Sequence, residues 1–145
     1  MFAINRRFRS VVMVSALAFV SMIAQAATVD LVASLKASSE VPPKTGRGAG
    51  MLTATLDTTT NELTYHVTFD GLTGAATAAH FHGPAAPGAN AGVQVPVKMS
   101  PIASPIDGTA TLTPEQAKDL LDGKWYFNIH TAANPGGEIR GQVVK

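Results

Sequence analysis

The residues best equipped for chemistry in this chain are its histidines. His80 and His82 sit one residue apart in HFHGP (80–84), and His130 lies far downstream in WYFNIHTAANPGGEIRG (125–141). On a strand, residues i and i+2 project to one face with Cα atoms roughly 6.5–7 Å apart, so their imidazoles can converge on one ion. A third histidine from a neighbouring strand completes a three-nitrogen set with an open position, which suits copper or zinc. His80, His82 and His130 are therefore the candidate metal ligands, and His66 is the weakest of the four histidines. Two plainer roles fit the same residues. They can decorate a wet sheet face, or, with Asn128, form a hydrogen-bonded network that ties the Gly83–Gly92 loop to the sheet. Asp70 and Glu138 are candidate acceptors behind a ligand histidine. Glu138 and Arg140 share a face at i, i+2. They read first as an ordinary exposed ion pair worth little, with an anchoring bond from Arg140 to a loop carbonyl as the alternative.

The elements that must position these groups read as strands. Val29, Leu31, Ala33 and Leu35 alternate with polar or small residues, as do Leu52, Ala54 and Leu56, and Leu63, Tyr65, Val67 and Phe69. Val93, Val95 and Val97, then Ala110 and Leu112, then Trp125, Phe127 and Ile129, and finally Ile139, Gly141 and Val143 follow the same rule. Period two predicts strands with one wet face, and short strands between turn signals predict an antiparallel sandwich or barrel. Asp57–Asn61 is a turn, GPAAPGANAG (83–92) is a loop, and Pro96 marks an edge strand. One short helix is expected after Thr113. That residue caps it, Pro114 fits its first turn, Gln116 completes a capping box and Gly123 ends it. If the face with large apolar residues is the core, all four histidines point away from it, as do Tyr126 and Asn128.

Composition narrows the function classes. The chain has 145 residues and no cysteine, so there are no disulfides, no thiolate chemistry and no cysteine-based zinc sites. Residues 1–26 read as a secretory signal peptide: Arg6, Arg7 and Arg9, then the apolar run Val11–Ala24, then Ala24-Gln25-Ala26 as a cleavage signal. Cleavage there leaves one domain, residues 27–145, in an extracytoplasmic place, periplasmic or secreted. That domain carries eight basic and ten acidic residues, net −2, with Arg47 and Arg140 its only arginines. No basic stripe points to nucleic acid, and no further apolar segment is long enough to span a membrane. There is no G-x-S-x-G, no phosphate loop and no pair of apolar-flanked carboxylates, so no catalytic residues are assigned.

Three stretches together resemble a known family: EVPP (40–43), AAHFHGPAAPGANAGVQVPV (78–97) and GKWYFNIHTAANPGGEIRGQV (123–143). They are similar to the CHRD domain, named from the developmental protein chordin and widespread in secreted bacterial proteins. The resemblance runs over residues 29 to 144. It implies an immunoglobulin-like β-sandwich or barrel and an extracellular recognition role, as in chordin, where such domains sit in a binder of growth factors. The expected function is thus a non-enzymatic binding module for a protein or cell-envelope component, contacted through Gly83–Gly92 and Thr131–Gly137. A weaker likeness is to copper–zinc superoxide dismutases, which carry an H-x-H strand and a distant strand histidine on a Greek-key barrel. The chain departs from them in lacking the cysteine pair and a zinc loop rich in His and Asp. A copper-only or simple copper- or zinc-binding version is the alternative function.

Overall fold

The computed structural model describes residues 27–145. The expected signal peptide lies outside the described residues. Eight strands and one helix follow in order: β1 (Thr28–Lys36), a 3-10 turn (Ala37–Ser39), β2 (Ala49–Asp57), β3 (Glu62–Asp70), β4 (Ala76–His82), β5 (Val93–Pro96), β6 (Ile106–Thr111), α1 (Pro114–Leu121), β7 (Tyr126–Thr131) and β8 (Ile139–Gln142). All strand pairings are antiparallel, and they form one sheet in the order β5-β4-β7-β8-β1-β2-β3-β6.

Alternation in the sequence becomes alternation in burial. Leu31, Ala33 and Leu35 of β1, Leu52, Ala54 and Leu56 of β2, and Leu63, Tyr65 and Val67 of β3 are buried, while their neighbours face out. One face of each strand thereby leaves water, with about 1.5–3 kcal/mol for each large apolar side chain buried. The β2–β3 register is held at its turn, where Asp57 Oδ1 accepts from the backbone N–H groups of Thr59 (2.8 Å) and Thr60 (3.0 Å). Asn61 completes the turn at φ +56°, a left-handed conformation that asparagine tolerates.

The sheet curls until its edge strands come to face each other, so it is a nearly closed barrel and not two separate layers. Tyr65 of β3 packs edge-on against Phe81 of β4, ring centroids 5.1 Å apart, although four strands separate β3 from β4 in the sheet order. The edge strands β5 and β6 face each other across an open groove lined by Val95, Val97, Gly108 and Ala110. Pro96 lies on the edge strand, as its missing N–H requires. The helix forms as its capping signals predict. Gln116 N–H donates to Thr113 Oγ1 (3.2 Å) and Thr113 N–H donates to Gln116 Oε1 (2.9 Å). Ala117 and Leu120 are buried in the core, with Leu121 packed against it. Among the described residues, no helix is long and apolar enough to cross a membrane.

Candidate functional site

The site is built on two neighbouring strands. On β4, Ala79 and Phe81 enter the core and His80 and His82 take the opposite face. On β7, Phe127 and Ile129 enter the core and Tyr126, Asn128 and His130 take that same opposite face. Antiparallel register sets His80 beside Asn128, His82 beside Tyr126 and Ala78 beside His130. His130 therefore lies diagonally across from His80, and one nitrogen from each of His80, His82 and His130 falls within 4.8 Å of the others. The expected trio is brought together. His66 is elsewhere, on β3, where its Nδ1 lies 2.6 Å from Asp107 Oδ1 at the surface.

The expectation that this face is wet needs correction. Parity gave the direction of the side chains but not what covers them. The Gly83–Gly92 loop folds back over the outer face of β4 and β7, so His82 is only 9% exposed, and Asn128 and Tyr126 are buried. The loop leaves β4 at Gly83, where a Cβ would collide with the Trp125 indole. It is then pinned from below. Ala91 takes both ends of a contact with the Tyr126 hydroxyl, its N–H donating (3.2 Å) and its carbonyl accepting (3.3 Å). The Arg140 guanidinium donates to Asn90 Oδ1 (2.8 Å) and to the Ala89 carbonyl, and lies 3.4 Å from the Tyr126 ring centroid. His82 stacks on the same tyrosine, the planes within 2° of parallel.

Hydrogen bonds decide which nitrogens face the centre. His82 Nδ1 lies 3.0 Å from the Ala91 carbonyl, so it carries the proton, and its Nε2 is left buried without a partner. His130 Nδ1 lies 2.9 Å from the Pro135 carbonyl and carries its proton there, which leaves Nε2 facing His80 Nδ1 at 3.2 Å. The three inward atoms are thus His80 Nδ1, His82 Nε2 and His130 Nε2; the last two offer lone pairs, and His80 Nδ1 does so when its proton is on Nε2. Metal–nitrogen bonds of about 2.0–2.1 Å in a tetrahedron set ligand atoms about 3.3 Å apart, close to the His80–His130 separation. Burial, reinforced by the charges of the neighbouring histidines, holds His80 below the ordinary imidazole pKa. Burial does the same for His82, against the opposing bond to Ala91. Both effects favour the neutral, ligating form.

Glu138 and Arg140 do not make the exposed ion pair expected of them. Both are 2% exposed, and each is spent on a different loop. Glu138 Oε1 accepts from Thr73 N–H (2.7 Å), while Oε2 accepts from the hydroxyls of Thr73 (2.7 Å) and Thr131 and from Asn134 Nδ2 (3.1 Å). Burial alone would raise its pKa, but these donors outweigh burial and lower it. Glu138 so ties the β3–β4 loop to Thr131–Gly137, the segment whose Pro135 carbonyl orients His130. Neither Glu138 nor Asp70 receives a hydrogen bond from a site histidine. Arg140 does make the anchoring bond to a loop carbonyl.

One residue of the site was not singled out in the sequence. Glu40, the acid of EVPP, is 3% exposed and its Oε1 has no hydrogen-bond partner. Its carboxyl sits beside Asn128: a Cβ on Gly137 would collide with Glu40 Oε1 and lie 2.8 Å from Asn128 Nδ2. Burial raises the Glu40 pKa, with the charge of Arg140, the Val41 N–H and the Asn128 amide opposing it. Its signal in the sequence was its place in EVPP, one of the stretches that carry the family resemblance, in a segment distant from every histidine.

The family model described as the CHRD domain matches residues 31–143, which takes in all eight strands except the first three residues of β1. No curated protein and no solved structure matches the chain.

Proposed function

We propose, on the premise that the chain belongs to the CHRD-domain family, that it is an extracytoplasmic module binding one copper or zinc ion through His80 Nδ1, His82 Nε2 and His130 Nε2. The observation that carries this reading is the buried, partnerless Nε2 of His82, aimed where two other lone pairs converge. A polar atom buried without a partner costs about 1–3 kcal/mol, and a cation at the centre satisfies all three nitrogens at once. The export signals at residues 1–26 and the family support an extracytoplasmic place; His80 and His130 are part-exposed, which suits a carrier that takes up and releases its ion. Titration of the purified, metal-free protein with Cu(II) tests it. The expected result is a one-to-one complex of sub-micromolar Kd that His82→Ala abolishes. Uptake without fixed stoichiometry, unchanged by alanine at all three histidines, rejects it.

A second reading keeps the domain as a recognition module for a protein or cell-envelope component. It is favoured by the pinning of Gly83–Gly92 and Thr131–Gly137, which gives two preorganised loops on the side of the barrel that carries the histidines. Preorganised loops lose little entropy on binding. The two readings share one surface, and a metal-saturated protein that captures a partner lost by the apo form would join them.

A further inference from the structure

The hydrogen bonds around His130 set one imidazole between two acceptors. A neutral imidazole has one N–H. His130 faces a carbonyl oxygen with each nitrogen, Pro135 O from Nδ1 at 2.9 Å and Asn128 Oδ1 from Nε2 at 2.9 Å. Whichever nitrogen holds the proton, the other confronts an acceptor with nothing between them. Turned over, the Asn128 amide would donate to His130 Nε2 but set its oxygen toward the Glu40 carboxyl, whose Oε1 has no donor, so that arrangement requires a protonated Glu40. A cation held by both His130 Nε2 and Asn128 Oδ1 removes the conflict.

Resting on the metal-site reading above, the geometry points to Asn128 Oδ1 as a fourth, oxygen ligand, with Glu40 the positioning residue that keeps the amide nitrogen turned away from the ion. The set is then three imidazole nitrogens and one amide oxygen. Asn128 is 3% exposed and sits directly across from His80 in the strand register, so it enters the site from below, on the barrel side. Glu40 reaches it from the turn after β1, a different part of the chain, through the space that Gly137 leaves by having no side chain. Ligand hardness makes the consequence specific. An oxygen donor stabilises Cu(II) and Zn(II), whereas Cu(I) is content with two or three imidazoles and gains little from it. Asn128 and Glu40 would therefore set which oxidation state the site prefers, beyond merely holding its shape.

The test is the affinity of purified protein for Cu(II) and for Cu(I), each measured by competition with a chelator of known affinity. Asn128→Leu should weaken Cu(II) binding about 10–100-fold while changing Cu(I) binding less than about threefold. The midpoint potential of the bound copper then rises by about 60–120 mV. Asn128→Asp, which keeps an oxygen at that place, should hold Cu(II) within about threefold of the parent and covers the case in which the leucine variant does not fold. Glu40→Leu should shift the Cu(II)/Cu(I) ratio in the same direction as Asn128→Leu, and Glu40→Gln, which still offers an acceptor, should largely restore it. Equal weakening of both oxidation states, or an unchanged ratio in the folded Asn128 and Glu40 variants, overturns the proposal and leaves the three-histidine site standing. Failure of the parent protein to bind either ion defeats the metal-site reading itself.

Discussion

Single residues show how much of this site is decided by what sits behind the histidines. Two of the three ligand nitrogens face inward because the sister nitrogen is held by a backbone carbonyl, Ala91 for His82 and Pro135 for His130. Those carbonyls are in turn placed by Tyr126, Arg140 and Glu138. Glu138 gives the clearest pH signature. Its folded pKa lies below the ordinary 4.5 because its donors outweigh burial, so the folded protein holds this proton more weakly than the unfolded chain. Its contribution to stability is present above the unfolded pKa and is lost as pH falls through the folded one. Glu138→Gln should cost about 2–3 kcal/mol near pH 7, since hydrogen bonds to a charged group are worth about 1.5–3 kcal/mol. Urea denaturation of parent and variant across the acid range should show the gap closing below about pH 4.5. A gap that stays constant with pH would mean that the carboxylate's charge is not what the loops depend on.

Elements contribute by register and by capping. β4 and β7 are the site's platform, and a one-residue slip of β4 would send His80 and His82 into the core and Phe81 out of it. Packing of Phe81 against Tyr65, Trp125 and Phe127 opposes any such slip. The helix precedes β7 in the chain and its N-terminal end joins the β5 side, where Gln116 Nε2 donates to Gln94 Oε1 (3.0 Å). Gln94 Nε2 donates in turn to the Gly83 carbonyl at the root of the loop (2.6 Å). Thr113→Ala removes the cap and one arm of the capping box, and should lower stability by about 1 kcal/mol in chemical denaturation. It should leave metal affinity unchanged, because the helix touches the loop's root and not its tip. A loss of metal binding in this folded variant would show that the relay through Gln94 reaches the ligands.

At the scale of the whole molecule, folding and ligand binding are linked. The native barrel assembles three nitrogens that the unfolded chain keeps up to 50 residues apart, so an ion that binds them binds the folded state selectively. Zinc at one hundred times its Kd should then stabilise the protein by about 2.7 kcal/mol and raise Tm by roughly 10 °C. Thermal unfolding with and without Zn(II) measures this directly, with His80→Ala as the control that should not respond. A purely structural histidine network predicts no rise at all in the parent. With no cysteine and so no disulfide to hold it, the barrel relies on its apolar core, and ion binding would be a sizeable addition.

The sequence by itself determined the all-β, antiparallel class, the family, the helix with its capping box, and the direction of every site histidine. These follow from periodicity of two, turn chemistry and local spacing, which are properties of contiguous residues. It also named His80, His82 and His130 as a set, since i, i+2 spacing gives the first two a shared face and parity turns His130 away from the core as well. Only the tertiary structure decided what covers that face. Glu40 arrives from the turn after β1, the Gly83–Gly92 loop arrives from beyond β4, and Arg140 turns out to be a buried strut and not half of a surface pair. Such contacts depend on how a curled sheet brings distant turns together, and parity along a strand carries no information about what the chain later lays across it.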